Sequence, residues 1–124
     1  MKKPLLLLLV LLSTLCFSQE NKELISFNKK EITINPLLKG ALYSPLKENK
    51  KTNLVILIAG SGPTDRDGNQ KGMTNNSLKY LAEDLAKNDI AVFSYDKRII
   101  AQMAAGIMDE KTLLFDDFIK DSKD

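Results

Sequence analysis

The residue types able to do chemistry are concentrated between Gly60 and Asn69, in the stretch GSGPTDRDGN. Two glycines flanking Ser61 let the backbone turn sharply and aim its N–H groups at an anion or a developing oxyanion. Asp65, Asp67 and Asn69 offer side-chain oxygens at alternate positions, with Arg66 between the two carboxylates. Three chemistries compete for this pattern. A phosphate-binding P-loop needs Gly-Lys-Ser/Thr after its glycines, and none follows. An EF-hand calcium loop needs glycine at its sixth position and glutamate at its twelfth. Counted from Asp65, those positions hold Gln70 and Asn76. Half of an oxyanion hole needs only backbone N–H groups and is the third possibility. For Asp65, Arg66, Asp67 and Asn69 the plainer role is to brace the loop through local hydrogen bonds, as Asx-rich turns do.

Other reactive groups are scarce. The chain has no histidine and one cysteine, Cys16. A disulfide scaffold and a cysteine-ligated metal site are therefore excluded, and no cofactor or metal is expected. The spacing S-x-x-K occurs at Ser44/Lys47 and Ser94/Lys97. In a lysine-rich chain both copies are chance-level, and neither opens a helix that would hold the pair together.

The first 18 residues have the layout of a secretory signal peptide: Lys2 and Lys3, an apolar run from Leu5 to Leu12, and small Ser18. The run is short of the ~20 residues a spanning helix needs, so export without a stable membrane anchor is expected. Cleavage after Ser18 would remove two of the 18 basic residues and none of the 16 acidic ones, leaving 16 against 16. A near-neutral mature chain lacks the electrostatic footprint of a nucleic-acid partner. Residues 19–30 are expected to be a flexible lead-in, and residues 31–124 a single domain.

The elements around the turn read as α/β. KKEITINP alternates at Ile32 and Ile34 and predicts a half-exposed strand; LLKGALYSP predicts a second, pairing with it as a hairpin. LVILIA, from Leu54 to Ala59, is a continuous apolar run, which predicts a strand buried on both faces in a parallel sheet. NNSLKYLAEDLAKN predicts a helix with Leu78, Leu81, Ala82 and Leu85 on one face, capped by Asn75 or Asn76, with Glu83 facing Lys87. A strand over Ile90 to Tyr95 completes a βαβ crossover. Asp96, Lys97 and Arg98 close that strand in surface or loop-bracing roles. TLLFDDFIKD predicts a last helix with Leu114, Phe115, Phe118 and Ile119 on one face and Thr112 as its cap.

Taken in this order, IAGSGPTDRDGN, SLKYLAEDLAKND and IAVFSYDKR resemble the N-terminal half of a secreted bacterial α/β-hydrolase. The likeness is to the esterase-like branch related to serine aminopeptidases and prolyl-oligopeptidase-type enzymes, and it spans roughly Glu31 to Asp121. It implies a partial α/β-hydrolase fold, with an N-terminal hairpin followed by βαβ and without the C-terminal half of the sheet. It also implies backbone oxyanion donation by Ser61, with Gly62 beside it, and a small ester or acyl substrate. In that family the strand preceding the glycine turn lies between the next strand in sequence and the strand bearing the nucleophile. The family's G-x-S-x-G nucleophile, acid and histidine are absent from these 124 residues. The chain alone is thus expected to be an inactive part whose structural complement is the C-terminal half. IIAQMAAG, following YDKR, replaces the family's glycine-rich turn; a real variation and a shifted reading frame are both open. The alternative from a different class is a non-catalytic exported module using Asp65–Asn69 for calcium or a small anion.

Overall fold

The computed structural model describes residues 26–109 and 111–123. The expected signal segment, 1–18, lies outside the described residues, as does the lead-in from 19 to 25. The elements are β1 (Phe27–Asn35), β2 (Leu38–Pro45), β3 (Leu54–Ile58), α1 (Ser77–Lys87), β4 (Ala91–Asp96), α2 (Arg98–Ala104) and α3 (Phe115–Asp121). They form a small α/β unit around one mixed sheet of order β1-β2-β4-β3. β2 runs antiparallel to both its neighbours, and β3 is parallel to β4.

The hairpin β1–β2 turns at Pro36, where the Asn35 side chain accepts hydrogen bonds from Leu37 N (2.9 Å) and Leu38 N (3.0 Å). The lead-in expected to reach Lys30 is shorter than that, because β1 starts at Phe27. The cause is tertiary: the Phe27 ring sits 6.0 Å from that of buried Tyr43, and its backbone pairs with Pro45.

Strand alternation sorts the sheet into two faces. On one face Ala41 and Tyr43 of β2 and Val92 of β4 are buried with Ala82 and Ala86 of α1. Val55 and Leu57 of β3 complete that cluster with Leu85. Leu81, expected on the same stripe, is exposed, and Ala86 takes its place. The approach of helix to sheet is close enough that alanine fills it. The expected Glu83–Lys87 pair is also replaced. Lys79 lies 4.0 Å from Glu83, and Lys87 lies 3.6 Å from Asp84.

On the opposite face Leu38 of β2 and Ala91 and Tyr95 of β4 are also buried, and the face opens at β3. There β3 presents Leu54, Ile56 and Ile58, which are 58%, 52% and 54% exposed. A strand written for burial on both faces is therefore covered on one, at the sheet's edge. Among the described residues no helix is long and apolar enough to cross a membrane.

Candidate functional site

The glycine turn leaves β3 at its carboxyl end, beside the carboxyl end of parallel β4. Binding sites of open α/β sheets form at this end of the strands. Ser61 and Gly62 lie at the surface there and line a cavity of about 620 Å³ with Ile58, Tyr95, Phe118 and Ile119. Gly62 has φ 78°, a left-handed conformation that glycine adopts without strain.

The three carbonyls of Gly60, Ser61 and Gly62 all have donors. The Lys97 ammonium donates to the carbonyls of Gly60 and of Gly62, the latter at 2.7 Å. Thr64 Oγ1 donates to Ser61 O at 3.3 Å and accepts from Gln70 Nε2 at 2.7 Å. In a planar trans peptide, N–H and C=O point in opposite directions. With the Gly60 and Ser61 carbonyls tied down, the N–H groups of Ser61 and Gly62 are therefore turned the other way. Neither has an acceptor among the described residues. Acceptors engaged and donors free is the electrostatic character an anion or oxyanion requires.

Lys97 is only 7% exposed. Burial pushes its pKa below the ordinary lysine value. Its position is legible only once β3 and β4 are known to be parallel neighbours, so that the residue after β4 falls beside the turn after β3. Thr64 and Gln70 have roles that no local pattern announces.

The four residues expected to brace the loop are placed as follows. Asp65 Oδ1 accepts from Asp67 N (3.0 Å) and Asn69 N (2.7 Å). Asn69 Oδ1 accepts from Asn75 N and Asn76 N, both at 2.9 Å. Asp67 contributes its carbonyl, which accepts from Leu78 N and Lys79 N at the start of α1. The loop thus supplies most of the cap expected from Asn75 or Asn76. Asn75 accepts only from Ser77 N, and Asn76, in the left-handed region at φ 52°, makes no capping bond with its side chain. Arg66 pairs with Glu31 on β1 at 2.7 Å, and its backbone N–H donates to Asp96 Oδ1 at 2.8 Å. Burial raises the Asp96 pKa, and the Arg66 contacts oppose that rise. Side-chain oxygens of Asp65 and Asn69 face N–H donors of the loop. Among the described residues no group of three or more carboxylate, histidine or cysteine side chains is placed to hold a metal ion.

Arg98 turns away from the loop and fastens α3 over the cavity. Its Nε and Nη2 meet the two carboxylate oxygens of buried Asp121 at 2.8 and 2.5 Å, and Nη1 lies 2.8 Å from Asp117. Leu114 precedes α3, and its N–H donates to Asp117 Oδ2 at 3.3 Å. Thr112, the expected cap, instead donates to Asp109 O. Phe115 remains at the rim, 77% exposed.

No protein-family model, curated protein sequence or solved structure matches the chain.

Proposed function

We propose that this chain is the N-terminal part of an exported serine hydrolase of the α/β-hydrolase type, acting on carboxylic esters or related acyl substrates. The observation that carries the reading is the turn itself. Ser61 and Gly62 present N–H groups without acceptors among the described residues, their neighbouring carbonyls are tied down, and the turn follows an apolar edge strand over an apolar cavity. In this reading a further parallel strand pairs with β3 and brings a nucleophilic serine to the mouth of the cavity.

The chemistry assigned to these residues is limited and specific. The serine oxygen attacks the ester carbonyl carbon, and the carbonyl oxygen becomes an alkoxide. Ser61 N–H, with Gly62 N–H beside it, donates to that alkoxide, a contact that strengthens as charge develops. Collapse of the tetrahedral adduct expels the alcohol, and water then releases the acid. The nucleophile, the acid and the base belong to the C-terminal half, since these 124 residues contain neither G-x-S-x-G nor histidine.

Hydrolysis of p-nitrophenyl butyrate tests the proposal. The purified chain is expected to match a boiled control. The product of the reading frame continued past the Asp124 codon is expected to carry G-x-S-x-G and a histidine and to hydrolyse the ester. Turnover by the 124-residue chain, or a longer frame without a nucleophile, would overturn it.

A further inference from the structure

We infer that Lys97 is a positioning residue of the oxyanion turn. Its ammonium is a fixed cation that holds the Gly60 and Gly62 carbonyls inward, keeps the Ser61 N–H outward and strengthens it as a donor, while Thr64 holds the Ser61 carbonyl and so the Gly62 N–H. The purpose assigned to Lys97 rests on the hydrolase reading, while its geometry does not.

The geometry is that of a buried cation fed only by backbone. Lys97 donates to two carbonyls two residues apart, Gly60 and Gly62, and among the described residues it forms no ion pair with a carboxylate. The charged groups on neighbouring elements are engaged elsewhere. Asp96, the preceding residue on β4, faces Arg66 of the loop. Asp117 and Asp121 of α3 face Arg98 of α2. The other titratable side chain lining the cavity is Tyr95, whose pKa burial and the nearby Asp121 both raise. Among the described residues the Lys97 charge therefore has no carboxylate beside it behind the turn.

Two effects follow from that placement. A carbonyl bonded to a cation polarises its own peptide, so the Ser61 N–H, which shares the peptide of Gly60 C=O, becomes a stronger donor. The charge also lies close to where an oxyanion would form, at the wall of a cavity lined mainly by apolar side chains. A lysine bound to a carboxylate would give up much of the second effect. A neutral side chain such as methionine would give up both.

Carbon-13 and nitrogen-15 NMR of the full 124-residue chain tests this without any enzyme assay. As pH rises, the Gly60 and Gly62 carbonyl resonances and the Ser61 amide are expected to shift with one midpoint, shared with Lys97 Cε. That midpoint is expected below 10.5, the ordinary lysine value. In Lys97→Met the common titration is expected to vanish, with the Ser61 amide displaced already at neutral pH. Glycine carbonyls that stay fixed while Lys97 titrates, or that follow Tyr95 instead, would overturn the proposal. The wild-type titration decides the matter even if the variant does not fold. Co-titrating glycines beside an inert longer chain would leave the lysine's role standing and remove the ester chemistry; the reverse outcome would do the opposite.

Discussion

Lys97 gives the site its sign, and its burial has a consequence for stability. The folded protein holds the Lys97 proton less tightly than the unfolded chain does. Between the depressed folded pKa and 10.5 the unfolded state therefore binds more protons, and this residue makes stability rise with pH across that window. Tyr95 works the other way, because its raised pKa gives stability that is lost as pH climbs through the folded value. Subtracting the urea-denaturation profile of Lys97→Met from that of the wild type isolates the lysine, and a difference that rises toward 10.5 is expected. Ser61→Ala should move stability by no more than about 0.5 kcal/mol, since the hydroxyl makes no hydrogen bond among the described residues. Gly62→Ala meets open space around its new Cβ, so only its left-handed φ penalises it, by about 1–2 kcal/mol. If Ser61→Ala proved the more damaging of the two, the turn would be working through its side chain.

At the scale of elements, two arginines fasten different neighbours around the carboxyl end of β4. Arg66 ties the loop to β1 and β4, whereas Arg98 ties α2 to α3. Arg98→Met should remove about 2 kcal/mol of local stability. Hydrogen exchange should show Phe118 to Asp121 losing protection while β4 and α1 keep theirs. Much of this arrangement was legible in the residues. The strands and helices followed from short-range periodicity, which is a local property of the chain. The turn after the apolar run marked the candidate site because parallel strands place their binding ends there. What was not legible depended on partners distant in sequence. β1 starts at Phe27 because Tyr43 receives its ring, and α1 is capped by the Asp67 carbonyl, a group every residue carries. Glu83 faces Lys79 where spacing alone also allowed Lys87. Lys97 belonged to the same class: its role needs the parallel register of β3 on β4, which no window of sequence displays.

For the whole molecule the governing fact is the uneven cover of the sheet. Tyr43, Val92, Ala82 and Ala86 make a compact cluster on one side, while Leu54, Ile56 and Ile58 face the other with little over them. A sheet whose edge strand is open on one face exposes less new surface on unfolding than a sheet covered throughout. The urea m-value should accordingly sit near the low end for small proteins, about 1 kcal/mol/M. Ile56→Lys should reduce light scattering on concentration and leave the midpoint unchanged, because a charge on an open strand discourages association at no cost to the buried side. Unchanged scattering would mean that this strand is not where molecules meet. The parallel pairing of β3 with β4 also orders events during synthesis. β3 emerges from the ribosome well before its partner, and the α1 crossover must form before the two can zip together. Until then its oily residues are open on both sides, and afterwards on one. A nascent chain built this way leaves that strand unshielded until α1 and β4 have been made.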